Sequence, residues 1–456
     1  MLHLSTKAYL YSLIDQALSQ VGSHLAKIEV SESAEGLSRI ANSEIHQNVY
    51  EEKTTMTVSI YGQRKVSRII TNLLSAEGIK TAVLEAVANL ELLPDGEEQP
   101  ELVSSPPELE SQRFNQELHD TFTVGHRVQL ISEALSLIQA PYKAYGQLSY
   151  RSLDRAIGNS AGIRRFSSSN QVSFSLLVSD DLGGTGFASQ TAQTPHEVDL
   201  GSVAKIALEK AMANKDPIEL NPGAYTVILE PQAVSDLMLQ GLIFGFSGTM
   251  IANKASFLTD RIGEKLFCDS LHVVDDWSDP LVAGDPFDAE GMPRQKLTLI
   301  EAGVAKAAAF DQISARKVGV EPTGHAFSMF GMNLAAPTNV VFAPGDKPLA
   351  QIIAETDKAL LVTRFHYMNA VNPRQALLTG LTRDGFFMIE NGKITKALRN
   401  MRFTESILLA FNNIEAIASD RWSMAAMFGA LCMPGMKISN FHFTGKTSLA
   451  DTKGTE

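Results

Sequence analysis

The sequence predicts an α+β protein, with an N-terminal α/β domain of antiparallel meander plus helices and a larger strand-rich C-terminal domain. Three observations carry this. Short alternating stretches divided by turn residues fill 27–71. A second such series runs from 272 to 397. Helical spacing is confined to a few segments between and beside them. A chain of 456 residues has room for two to three domains.

Tyr9, Leu10, Leu13, Ile14 and Leu18 recur at helical period and place a helix over 6–21. Lys27–Val30, Leu37–Ala41, Glu44–Glu51, Thr54–Tyr61 and Lys65–Thr71 read as strands. Ser75–Leu90 returns to helical spacing. These elements make residues 1–90 the first segment of domain 1. Residues 91–110 are acidic and Pro-rich without periodicity, so they read as an exposed linker or long loop. The rest of domain 1, 111–219, holds a helix at Val124–Gln139, strands at Gly146–Leu153, Arg155–Asn159, Arg164–Phe166 and Val172–Val178, a glycine turn at 183–186, and an amphipathic helix at Asp199–Ala213. The C-terminal domain, 220–456, opens after the Pro-Gly break at 222–223. It begins strand–helix–helix and then turns mostly to strands, with helices near Asp311–Lys317, Lys347–Glu355 and Glu405–Phe411.

A formal net charge of −12 repels phosphate backbones and makes nucleic acid a poor partner. Two distant cysteines, Cys268 and Cys432, supply neither a disulfide framework nor a cysteine-only metal site. The N-terminus lacks a basic n-region, and the most apolar stretch, Leu237–Ala252, is too short to span a bilayer and carries Gln240, Ser247 and Thr249. The expectation is a cytoplasmic protein that engages no membrane.

Several motifs fail on inspection. His196-Glu197 has no second histidine at helical spacing, so it cannot close a zinc sphere. Gly445-Lys446-Thr447 lacks the first glycine of a phosphate loop and the helix that must follow. His119 and His126 are separated by Thr121, Phe122, Thr123 and Gly125, which favour a break. Asp285, Asp288 and Glu290 place three carboxylates within six residues, enough for a hard cation. The same residues also make a tight turn.

The stretch VILEPQAVSDLMLQGLIFGFSG (227–248) runs a strand into a helix whose sides are mostly apolar. Gln232, Ser235, Asp236 and Gln240 form a narrow polar stripe, and such a helix is a buried one. Gly241 and Gly245, one turn apart, would let another backbone come close.

Collinear segments across most of the chain resemble the TldD/PmbA family: GLSRIANSEIHQNVYEEKTTMTVSIYGQRKVS (36–67), YTVILEPQAVSDLM (225–238), SFLTDRIGEKLF (256–267), GDPFDAEGMPRQKLTLIEAGV (284–304), DQISARKVGVEPTGHA (311–326), VNPRQALLTGLTRDGFFMIENGKI (371–394) and MPGMKISNFHF (433–443). The family is best known for paired subunits of a cytoplasmic zinc-dependent peptidase. Its catalytic members carry H-E-x-x-x-H on the helix after the V-x-L-x-P strand. Here those positions are Leu239, Gln240, Gly241, Leu242, Ile243 and Phe244. Hydrocarbon stands for both imidazoles and an amide for the carboxylate, leaving neither zinc ligands nor a base.

The resemblance therefore implies a PmbA/TldE-like, non-catalytic subunit with no cofactor of its own. Zinc is expected only in a TldD-like partner chain, in a heterodimer or larger assembly acting on peptides. The alternative is a self-associating, homodimeric binding regulator. The resemblance also carries the family's association with DNA gyrase, which the acidic balance does not support. Arg316, His325, Arg364, His366 and Tyr367, polar or aromatic groups set in apolar strands and turns, are the expected peptide-groove or interface residues.

Overall fold

A computed structural model describes residues 6–447, apart from 95, 97, 98, 283, 330, 331, 427 and 428. In the N-terminal half, helix α1 (Lys7–Leu18) is followed by the long hairpin β1 (Leu25–Ala41) and β2 (Glu44–Gly62), then β3 (Lys65–Thr71) and α2 (Ala76–Leu92). Next come β4 (Glu108–Arg113), α3 (Gln116–Thr121), α4 (Val124–Leu135), β5 (Lys143–Asn159), β6 (Arg164–Ser179), β7 (Thr185–Ala192) and α5 (Leu200–Ala213). Among the described residues these strands form one sheet in the order β3-β2-β1-β5-β6-β4, with β7 also paired to β6.

The sheet has two unlike faces because its side chains alternate. Ala26, Ile28 and Val30 of β1, with Met56, Val58 and Ile60 of β2, pack under α1 and α2. Leu148 and Tyr150 of β5, with Phe174 and Leu176 of β6, pack under α4 and α5. The intervening residues face the C-terminal domain and are mostly polar, with Leu153 and Ile157 among the exceptions. This corrects the segmentation expected from sequence. Lys27–Val30 and Leu37–Ala41 are one strand, as are the pieces of β5 and of β6. Their middles, such as Ser31–Gly36 and Ser167–Gln171, lose the apolar alternation because they border an interdomain cleft rather than a core.

The C-terminal half starts with β8 (Gly223–Leu229), α6 (Pro231–Leu237), a π turn at Met238–Leu242 and α7 (Gly248–Ala252). It continues through β9 (Val273–Asp275), β10 (Leu297–Glu301), β11 (Val304–Ala305), α8 (Gln312–Val318), β12 (Ala326–Met329), β13 (Met332–Ala335), β14 (Asn339–Phe342) and α9 (Leu349–Ala354). The last elements are β15 (Lys358–Asn372), β16 (Leu377–Glu390), β17 (Lys393–Ala397), β18 (Met401–Ser406), α10 (Ile407–Asn412), β19 (Ile414–Ala426) and β20 (Gly429–Lys446). Pairings β20–β18–β16–β15–β8 return to β20, so five strands close into a barrel-like circuit. Phe365, Phe403, Phe441 and Phe443 contact one another across it, with the Phe365 and Phe403 rings 4.6 Å apart.

Other expectations shift here. Between Gly303 and Phe310 only Val304–Ala305 is strand, and Glu405 lies in a strand that runs to Ser406 rather than opening the helix, which starts at Ile407. The long strands β19 and β20 escaped notice because Gly429, Pro434, Gly435 and Gly445 interrupt their pattern. The 91–110 stretch ends inside β4, and Glu101 exchanges hydrogen bonds of 3.1 and 3.0 Å with Gln312.

Candidate functional site

Strand β8 delivers the chain to Glu230, and Pro231 opens α6, where a missing N–H costs nothing. The helix buries Ala233, Val234, Leu237, Met238, Leu242, Ile243 and Phe246 in the main core of the domain. At Ile243 its N–H reaches back five residues to Met238 O, at 3.1 Å, making a π turn of Met238–Leu242. Such turns recur at functional sites. The two glycines admit side chains rather than a backbone, contrary to expectation. A Cβ on Gly241 would lie 2.6 Å from Ile407, and one on Gly245 would lie 1.8 Å from the Phe257 ring.

The polar stripe faces β15 and the N-terminal domain. Asp236 accepts from Phe365 N at 2.8 Å and from Gln232 Nε2 at 3.0 Å. Burial raises its carboxyl to about 6, against the pull of these donors. Ser189 of β7 donates to Gln232 at 3.3 Å, and Lys210 of α5 pairs with Glu230 at 2.6 Å.

A zinc ion needs lone-pair donors. Leu239 is half-buried against the core and Phe244 lines an apolar pocket of about 180 Å³. The side chain of Gln240 lies outside the described residues. Leu and Phe have no lone pair to offer, so the residues at these positions do not fit the ion. Among the described residues no group of three His, Cys, Asp or Glu is placed to hold a metal elsewhere.

The other expected site residues do not share one groove. Arg364, His366 and Tyr367 sit together on β15. Arg364 Nε donates to Asp384 at 2.7 Å and its guanidinium lies 4.2 Å from the Phe187 ring centre. Burial, then Arg383 and Arg364, push the His366 imidazole down. Tyr367 is 69% exposed and has φ +50°. Arg316 lies apart on the last turn of α8, 3.5 Å from Glu101.

His325 is a correction, for it is fully buried and out of reach of any groove ligand. Its Nε2 lies 3.3 Å from Asp275 Oδ1 and its Nδ1 lies 2.9 Å from Thr323 O. Burial alone would raise Asp275; His325, Arg294 and the N–H of Asn339 hold it below the usual range.

The acidic loop 284–292 is built as a turn. Asp288 Oδ1 accepts from Glu290 N and Met292 N, both at 2.9 Å, and its Oδ2 accepts from Ala326 N at 2.9 Å. Asp285 is engaged by Arg155 at 3.2 Å. Burial, Asp288 and Asp311 raise Glu290 to about 8. The loop docks the two domains: Lys27 donates to Ala289 O, Arg165 Nε donates to Gly291 O at 2.8 Å, and Phe287 packs with Ile157 and Ile163.

Beside this loop lies a cleft of about 610 Å³ between the polar face of the N-terminal sheet and the C-terminal domain. Ser31, Ser33, Thr55 and Arg151 line the sheet side; Arg294 and Asn339 line the other. Sequence reasoning missed it. The only signal was the run of Ser, Glu, Asn and Gln inside strands.

The chain has an α+β fold. Residues 222–445 match the profile described as "PmbA/TldA metallopeptidase C-terminal domain". A protein of Buchnera aphidicola named "Metalloprotease TldD homolog" is 26% identical over 265 residues, covering 55% of this chain and 54% of that protein. The chain matches about half the length of the curated relatives. TldE from Thermococcus kodakarensis shares the fold, with a TM-score of 0.83 at 18% identity over 95% of this chain and 99% of that one. So does a Thermotoga maritima protein described as a candidate modulator of a DNA gyrase, with a TM-score of 0.79 at 19% identity over 95% of this chain and 100% of that one. Among the described residues no helix is long and apolar enough to cross a membrane.

Proposed function

We propose that this chain is the non-catalytic, TldE-like subunit of a cytoplasmic two-chain metallopeptidase, with zinc held by a TldD-like partner and peptides as substrates. The observation that carries the reading is the helix after β8. The two positions that must bind a divalent ion are Leu239 and Phe244, packed among apolar groups. The polar cleft and the exposed part of β15 near His366 and Tyr367 are the surfaces that would hold an extended peptide, by main-chain hydrogen bonds with loose sequence preference. Net charge of −12 supports no nucleic-acid role. Elemental analysis and a peptidase assay test the reading. The chain alone should carry less than one zinc and cleave nothing, and a sister chain bearing H-E-x-x-x-H should cleave peptides only when the two are mixed. Chelator-sensitive turnover by the chain alone would sink it.

One observation favours self-association as a second reading. Among the described residues, Glu44–Thr55 of β2 pair with β1 only, and their other edge is open. Open edges pair with further strands. Sedimentation of the chain alone as a dimer, with no effect of the sister chain, would favour this reading over the first.

A further inference from the structure

The cleft between the domains gathers positive charge that the chain does not match. Its lining holds four cations, Lys53, Arg151, Arg155 and Arg294, and two carboxylates, Glu29 and Asp285. Arg155 holds both carboxylates. Lys53 and Arg151 are exposed and make no ion pair among the described residues. Four cations against two carboxylates are thus gathered in a chain of formal net charge −12.

Arg294 is under-satisfied. Its Nη1 donates to Thr338 Oγ1 at 3.0 Å, and its Nε is buried without a hydrogen-bond partner. Two buried carboxylates feel its charge, but other donors claim them. His325 and the N–H groups of Thr338 and Asn339 hold Asp275. The N–H groups of Glu290, Met292 and Ala326 hold Asp288. A buried polar group left unpaired is costly and calls for an explanation.

The sheet sets the arrangement. Lys53 of β2 lies opposite Ser33 of β1, and Ser33 lies opposite Leu153 of β5. Arg151 is two residues from Leu153 and so on the same face. Ser33 therefore stands between two cations, while Arg294 and Thr338 line the other wall. A cleft with one sign of charge in excess concentrates the opposite ion. Its volume of about 610 Å³ suits a small organic molecule. Hydroxyl and amide groups, Ser31, Ser169 and Asn170 among them, suit a ligand that bears hydroxyls.

We propose that the cleft binds a small phosphate monoester with a hydroxyl-bearing organic part. Such a group carries about −1.5 to −2 charges at neutral pH, which matches the surplus, whereas a single carboxylate leaves one cation unmatched. The proposal goes beyond the subunit role and does not rest on it. No residue of β15 lines the cleft, so that surface stays free for a peptide.

The full chain is titrated with glucose 6-phosphate, inorganic phosphate, glucose and acetate, by calorimetry and thermal shift. Ionic strength is held fixed so that screening is equal throughout. Glucose 6-phosphate should bind and raise the melting temperature. Inorganic phosphate should bind more weakly, and glucose and acetate should do neither. Lys53→Gln and Arg151→Gln, at exposed strand positions, should each weaken glucose 6-phosphate by about tenfold by removing a charge-assisted contact. Arg294→Gln also removes the Thr338 hydrogen bond, so the two exposed variants carry the test. No stabilisation by glucose 6-phosphate, equal binding of glucose or acetate, or unchanged affinity in both variants overturns the proposal. The peptidase reading would survive that result, because zinc content and cleavage test it separately.

Discussion

Arg155 of the N-terminal sheet reaches across the domain boundary to Asp285, with its Nη1 3.2 Å from the carboxylate, while its Nε holds Glu29 at 2.7 Å. Its guanidinium also lies 5.4 Å from the centre of the Phe287 ring. One side chain thus ties β1, β5 and the loop 284–292 into a single joint. Phe287 is the apolar half of that joint and is fully buried.

Phe287→Ala should therefore cost about 3–5 kcal/mol, the usual range for a buried phenyl truncated to methyl. Because the loss falls on the docking surface, urea unfolding followed by two probes, one per domain, should separate into two transitions. A single coincident transition at the parent midpoint would show that Phe287 does not hold the domains together.

Glu290 sits in the same loop with its carboxyl raised to about 8 by burial, Asp288 and Asp311. A folded-state value above the unfolded one means the native protein binds the extra proton. Its stabilising contribution is complete below the unfolded value, near 4.5, and is lost as pH rises through about 8. Glu290→Gln removes the titration, so the variant should lose less stability than the parent between pH 5 and 9. A melting-temperature gain of about 2–4 °C at pH 9, shrinking towards pH 5, is the expected result. A pH-independent difference would remove Glu290 as the cause.

Gly245 packs against Phe257 with no room for a methyl group, since a Cβ there would lie 1.8 Å from the ring. Gly245→Ala should destabilise by about 1–3 kcal/mol through overpacking. Adding Phe257→Leu should recover part of that loss. A neutral single variant in denaturant unfolding would show that the Phe257 ring shifts freely.

Most element positions in the N-terminal domain were legible, because apolar residues on one sheet face and one helix face keep their periods. Local side chains close the helix starts: Ser75 accepts from Gly78 N, and Asp199 from Ser202 N at 2.9 Å. The length of β1 and β6 was not legible. Ser31–Gly36 and Ser167–Gln171 are strand by pairing alone, with polar groups on the cleft side. His325 reads as a groove or interface residue in sequence and is a buried partner of Asp275 in space, because nothing local announces a contact fifty residues away.

The sequence by itself determined the family resemblance and the absence of lone-pair donors in the side chains at 239 and 244, since whether a side chain carries a lone pair is settled by its identity. Only the tertiary structure decided what the acidic loop does and what fills the site. Whether three carboxylates gather round an ion or accept backbone N–H groups depends on which elements pack beside them. Here Ala326, Arg155 and Gln312 arrive from distant parts of the chain and claim their oxygens.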